Sequence, residues 1–597
     1  MNKLNLKLLK RAVRHAKPFW FSEQKRKARW LLVGLIVLLL ADTQIAVLFN
    51  QQSGEFTSAL AAKDGPRFWR SILEFFGVLV VAVPIYSYYY YVRDTLALNW
   101  RRWLTSRFLD RYFKDRGYYH LLSKPEIDNP DQRISDDIYS FTQQTLTFLL
   151  VFTSGFFQLV AFSRVLWSIS GLLVLFLFLY AAIATGVTFG IFGERMVFLH
   201  ANQRRREADF RFGLVRIREN AESIALYHGE EQEKVQLQSF YARLFANGTD
   251  LIRWSLRLNF AYYSNSFLTL VLPTLIIAPR VLSGELEVGR IVEATGAFSA
   301  ILGALTLLLD NLESLSRFAA SIGRLEVLAH GLTPNGIHEL PKPKKRSKPE
   351  SVPQPSVEIS RILTREAPQL AFENVTLKTP HNERTLVKDL NLSVAPGAGL
   401  MIVGASGLGK SSLLRALAGL WDAGEGTLLR PKSDEMLFLP QHAYMVLGSL
   451  RVQLNYPHLE RTVSDEEFRE VLDLVNLKGL VERCGGFDND DFNFEKVLSV
   501  GERQRLAFAR VLLHRPRYVL LDEATSALDR ENEAALYEQL IASSITLVSV
   551  THHLSLVKYH SQVLELKPDA CWVLHPAKQF HFAEEHFTEE LVQRGGQ

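Results

Sequence analysis

The chain has 597 residues, room for several domains, and its mean composition of 48% hydrophobic and 22% charged residues averages two unlike halves. The net charge of +5 sits largely beside apolar runs, which membrane topology explains better than nucleic-acid binding. Two cysteines, Cys484 and Cys571, exclude a disulfide framework and offer no zinc spacing.

Residues 1–29 are rich in Lys and Arg, and an apolar run from Trp30 to about Asn50 follows. That run exceeds the roughly 7–15 residues of a signal-peptide core and lacks a small-x-small cleavage site, so it is predicted to span a bilayer. A span needs about 20 apolar residues. The pattern predicts an all-α transmembrane domain over residues 1–330, with six spans at about 30–50, 75–92, 138–163, 165–193, 258–279 and 291–309. Spans three and four meet at Arg164, which predicts a tight helical hairpin with its turn outside. Segments 93–137 and 194–257 carry most of the arginines between spans, so the positive-inside rule puts both termini in the cytosol. Asp42 is an ionisable residue within the first span, and Asn129-Pro130 and Gly229 are predicted helix breaks.

Residues 331–368 hold seven prolines and the basic run Lys342 to Lys348, and are predicted to form an extended linker. Residues 369–597 then alternate strand and helix patterns, the mark of a soluble α/β domain. After the apolar run Leu400 to Val403 comes Gly404-Ala405-Ser406-Gly407-Leu408-Gly409-Lys410-Ser411-Ser412, a G-x-x-x-x-G-K-S phosphate loop that opens a helix. Its glycines let backbone N–H groups turn toward phosphates, Lys410 can reach the β/γ oxygens, and the Ser411 hydroxyl can ligate Mg²⁺. Downstream, Leu437 to Leu439 leads to Gln441, and Leu498-Ser499-Val500-Gly501-Glu502 precedes a helix. Tyr518 to Leu521 ends in the acids Asp522 and Glu523, Ser526-Ala527-Leu528-Asp529 follows, and Ile545 to Val550 delivers Thr551-His552. Asp522 suits a Mg²⁺ shell, Glu523 can polarise an attacking water, and His552 can steady a γ-phosphate.

This ordered set, GASGLGKSS, FLPQ, LSVGERQR, YVLLDE, SALD and SVTH, resembles the nucleotide-binding domain of ABC transporters. The resemblance implies ATP and Mg²⁺ as cofactors. It implies phosphate and metal binding by the loop residues Gly404 to Ser412, Gln441 as a metal and γ-phosphate sensor, and Asp522 as a metal ligand. Glu523 becomes the general base and His552 its catalytic partner. Ser499, Gly501 and Asp529 are placed at ATP across a head-to-tail dimer. One cassette and six spans imply a half-transporter, hence a homodimer in a lipid bilayer with a transported solute as its further partner.

The tracts YYHLLSKPEIDNPDQRISDDIYSFTQQTLTFLL, ENAESIALYHGEEQE and TPHNERTLVKDLNLSV resemble the SbmA/BacA-like transporters in their ATPase-fused, YddA-type form and, more distantly, the acyl transporters of ABC subfamily D. The resemblance implies a bacterial inner-membrane importer of bulky hydrophilic solutes such as peptides or cobalamin-like molecules. Acyl-CoA or lipid export is the alternative, and an ATP-gated channel or sensor a third reading. Two departures stand out. Val500 puts a β-branched side chain in the signature segment, and Thr379-Pro380-His381 stands where an adenine-stacking aromatic is common.

Overall fold

A computed structural model describes residues 6–122, 124, 127–310, 312–333, 361–379 and 384–580. The chain divides into two units, Met1–Ser347 and Lys348–Gln597.

The first unit is helical. A short amphipathic helix, α1 (Leu6–Trp20), leads into α2 (Lys25–Ala61) and α3 (Gly65–Phe113). Asp64 caps α3 by accepting from the Arg67 N–H, and Pro66 fits the first turn, where no N–H bond is lost. At about 1.5 Å per residue the 49 residues of α3 reach roughly 74 Å, far beyond a bilayer core of about 30 Å. After it come α4 (Ile138–Ile169), α5 (Gly171–Thr188), α6 (Glu194–Glu219), the short α7 (Ala221–Tyr227) and α8 (Glu230–Leu282). The arginine-rich segments fall largely on the long helices α3, α6 and α8. Next come α9 (Gly289–Asp310) and α10 (Leu312–Gly331).

Five helical runs are long and apolar enough to cross a membrane: Lys25–Ala61, Gly65–Leu121, Pro130–Ile169, Gly171–Glu219 and Glu230–Leu282. The sixth predicted span coincides with α9, whose 22 residues fall outside that set. The hairpin turn differs from expectation. Helix α4 runs straight through Arg164, which is exposed, and the break falls at Ser170, in extended conformation before Gly171. A single long-stemmed arginine fits a helix well, whereas Ser-Gly has the lower helix propensity. Residues 165–169 therefore belong to the third span. The break near Gly229 is likewise made by His228, at φ 52°, with Gly229 capping α8.

Two apolar cores hold these helices. In one, Phe19 of α1 stacks on Trp100 of α3 at 5.4 Å between ring centres, and Phe141 of α4 meets Trp100 edge-on. In the other, Leu166, Leu177, Phe298 and Ile301 are buried together. Trp30, Leu73 and Phe260 instead point outward, an apolar surface suited to lipid.

The second unit opens with β1 (Leu363–Glu366), β2 (Leu370–Lys378) and β3 (Thr385–Val394). Of the predicted linker, residues 334–360 lie outside the described residues. Its last part is folded, since Ile362 is buried and β1 pairs in parallel with β5 (Gly424–Arg430). The remaining strands are β4 (Leu400–Val403), β6 (Met436–Leu439), β7 (Tyr518–Asp522), β8 (Thr546–Val550), β9 (Gln562–Leu566) and β10 (Trp572–Pro576). They form a four-stranded sheet ordered β1-β5-β2-β3 and a six-stranded sheet ordered β10-β9-β4-β8-β7-β6. The latter is parallel except for β10 at its edge. Strands β4 and β7 are almost wholly buried, which matches their unbroken apolar runs.

Candidate functional site

Strand order builds the site. Because β4, β8, β7 and β6 are neighbours and parallel, their carboxyl ends lie side by side and bring Gly404, His552, Asp522-Glu523 and Gln441 to one rim. Register holds them level, with Val550 opposite both Ile402 and Asp522 and Leu521 opposite Leu439.

After β4 the loop turns on glycines at positive φ: Gly404 at 145°, Gly407 at 82° and Gly409 at 99°. A Cβ on Gly404 would lie 2.6 Å from the Leu566 carbonyl oxygen, so no other residue fits there. The loop ends in α11 (Lys410–Leu417), whose first turn lacks any acidic residue. Lys410, 6% exposed, donates from Nζ to the carbonyls of Gly404 (2.7 Å) and Ala405 (3.1 Å), which fixes the ammonium against the loop. Burial lowers the Lys410 pKa, opposed by the charges of Glu523 and Asp522. Ser406 and Gly407 are exposed at the loop tip, and Leu408 packs its side chain on the sheet core.

Ser411 Oγ donates to Asp522 Oδ1 at 2.9 Å. Burial raises the Asp522 pKa, and the Ser411 bond opposes it. Glu523, at φ 49°, leaves the strand direction while its N–H still bonds Val550 O at 2.9 Å. Its carboxylate receives Gln441 Nε2 at 3.0 Å and lies 3.2 Å from His552 Nε2. A hydroxyl, a carboxylate and an amide oxygen from Ser411, Asp522 and Gln441 are hard donors of the kind Mg²⁺ takes, so the residues present fit that ion.

Ser499, Gly501 and Asp529 are not joined to this group. Ser499 caps α12 (Val500–His514) in a reciprocal box with Glu502, and Asp529 caps α13 (Arg530–Ala542) through Asn532. Val500 is 46% exposed on the first turn of α12, directed away from the unit's own core. Pro380 and His381, beside the expected adenine position, lie outside the described residues.

Two residues that sequence reasoning gave no role hold the segments together. Gln504, 1% exposed, donates to Gln441 O at 3.3 Å and accepts from Ala527 N at 3.1 Å, tying α12 to two loops. Glu533, 1% exposed, accepts from Thr525 Oγ1 at 2.6 Å and meets His553 Nδ1 at 2.9 Å. Their signal was a polar residue on the buried face of a helix, visible only with the helix phase fixed.

A glycine phosphate loop on a central parallel strand, an acid pair on the next strand but one and a histidine between them define an ATP-hydrolysing P-loop unit, here fused to a helical membrane unit. Residues 18–282 match the family described as ABC transporter transmembrane region 2, and residues 387–526 match the ABC transporter family. An uncharacterised ABC transporter ATP-binding protein of Synechocystis is 44% identical, over 93% of this chain and 82% of that protein. The lysosomal cobalamin transporter ABCD4 of Mus musculus is 32% identical over 96% of this chain and 97% of its own length. The inner membrane ABC transporter ATP-binding protein YddA of Escherichia coli is 28% identical over 90% and 93%. The chain belongs to the ABC transporter family, as a membrane domain fused to its ATPase. By identity its likeness to the subfamily D protein is no more distant than that to YddA.

Proposed function

We propose that two copies of this chain form a homodimeric transporter of the bacterial inner membrane, both termini cytosolic, that imports bulky hydrophilic solutes such as peptides or cobalamin-like molecules. The observation that carries this reading is a cavity of about 780 Å³ in the membrane unit, lined by Gln51, Gln52, Glu55, Arg67, Arg70 and Glu74 among others. Such a lining is mostly polar and can replace the hydration of a polar solute, whereas it offers an acyl chain little apolar surface. The cobalamin named for the mouse relative is in keeping with it.

In the ATPase, the loop from Gly404 to Ser412 would hold the phosphates, with Lys410 offsetting their charge. Glu523 would take the proton of the attacking water, with His552 and Gln441 fixing its carboxylate. Mg²⁺, held by Ser411, Asp522 and Gln441, would neutralise developing phosphate charge. Ser499 and Asp529, each capping a helix, and Gly501, in the first turn of α12, would face the ATP of the second copy.

Flux in proteoliposomes with outward-facing ATPase units tests the reading. Loss of preloaded labelled cobalamin or peptide from the lumen, abolished by Glu523→Gln, supports import. ATP-dependent luminal gain of acyl-CoA, with no movement of the hydrophilic solutes, would overturn it in favour of lipid export.

A further inference from the structure

A second cavity, of about 280 Å³, opens in the membrane unit between α1, α3 and α10, away from the polar one. Its lining is mainly apolar and basic. Pro18, Trp103, Leu104, Phe108 and Ala329 supply apolar surface, while Arg14, Arg107 and Arg111 supply guanidinium groups. The one carboxylate in the lining, Glu326, is already engaged three times. It receives Arg14 Nη1 at 2.9 Å, lies 2.7 Å from His15 Nε2 and stands 3.4 Å from His330 Nε2.

Arg107 and Arg111 sit one turn apart on α3, and among the described residues neither has an ion pair with a carboxylate. Arg107 lies over the Trp103 ring at 5.3 Å, which holds its stem at the cavity. Three arginines against one glutamate leave a charge of +2 on these four side chains. Two like charges beside an apolar wall are costly unless an anion joins them, and paired guanidiniums match phosphate oxygens.

The cavity's place in the fold narrows the anion. Helix α1 buries Ala12 and Phe19 against the protein and exposes Lys10, Arg11 and Lys17, and it stands just ahead of the membrane-crossing α2. Basic side chains exposed beside a membrane-crossing helix attract anionic lipid headgroups. We propose that this cavity is a binding site for the phosphate of an anionic phospholipid headgroup, gripped by Arg107 and Arg111, with the adjoining glycerol and first methylenes against Trp103, Leu104 and Phe108.

Because α10 carries Glu326 and His330 and forms the last described segment of the membrane unit, occupancy steadies the helix from which the chain leaves toward the ATPase.

The test uses the purified full chain in detergent and three probes: dioctanoyl phosphatidylglycerol, dioctanoyl phosphatidylcholine and inorganic phosphate, followed by native mass spectrometry. The anionic lipid should bind about tenfold or more tighter than the zwitterionic one, a preference lost in Arg107→Gln/Arg111→Gln and largely kept in Arg107→Lys/Arg111→Lys. An undiminished preference in the Gln pair overturns the site. Inorganic phosphate binding as tightly as the lipid overturns the headgroup and assigns the site to free phosphate. Hydrogen exchange on the wild-type chain needs no variant: phosphatidylglycerol should slow exchange in α1 and at the end of α10, and unchanged exchange there rejects the proposal.

Discussion

His553 Nδ1 lies 2.9 Å from Oε1 of Glu533, a carboxylate almost without solvent contact. The same carboxylate accepts from Thr525, two residues beyond Glu523, while His553 directly follows His552. One buried acid thus braces the turn that aims Glu523 and the loop that aims His552. Replacing Glu533 by Ala leaves two partners unpaired, at a cost of about 1–3 kcal/mol. The expected outcome is a lower melting temperature and a fall in kcat with ATP affinity nearly unchanged. Equal kcat in wild type and variant would show that the brace is structural only.

Glu523→Gln keeps the shape of the Gln441 and His552 contacts but removes the base. ATP binding should persist while turnover falls by about 100-fold or more. Preserved phosphate release in a single-turnover assay would refute the assigned role.

Lys410→Ala acts earlier. Removing the ammonium fixed at Gly404 and Ala405 should weaken nucleotide affinity by about tenfold or more, since a charge-assisted bond contributes about 1.5–3 kcal/mol. Equilibrium binding of labelled ATP reads this directly, and unchanged affinity would remove the loop from the site.

His560 provides a pH signature. Its Nδ1 lies 2.8 Å from Leu556 O, which requires the proton there, and Nε2 then accepts from Ser549 Oγ at 2.9 Å. Burial pushes its pKa down to about 4. Because the unfolded side chain titrates near 6.5, the unfolded state binds the extra proton first as pH falls. This contribution to stability is whole above about pH 6.5 and fades toward pH 4, by roughly 3 kcal/mol. Denaturant titrations at pH 7 and 5 should show the loss in wild type and a smaller one in His560→Gln. Parallel losses would assign the acid sensitivity elsewhere.

In the membrane unit, Gly289 approaches α2 so closely that a Cβ there would fall 1.9 Å from Gly54 O. Small residues allow such close backbone contact between packed helices. Gly289→Ala should cost about 1–3 kcal/mol, read as a lower melting temperature, whereas Gly34→Ala, with open space around it, should be neutral. A Gly289→Ala melting curve that overlies wild type would mean the helices part without penalty.

Much of this protein was legible in its sequence, because some constraints are local. A phosphate loop needs its glycines and lysine in consecutive order, a span needs a run of apolar residues, and a buried parallel strand reads as Tyr518 to Leu521 does. Those features fixed the two-part architecture and the order of the ATPase motifs. Other features depend on which strands and helices become neighbours. Strand order alone sets Gln441, Glu523 and His552 within bonding distance across more than 100 residues of chain. The break at Ser170 in place of Arg164, the folded start at Ile362, the buried carboxylate of Glu533 and the arginine-lined cavity each turn on long-range packing. Burial and pairing are properties of contacts between distant segments, and only the tertiary structure decides them.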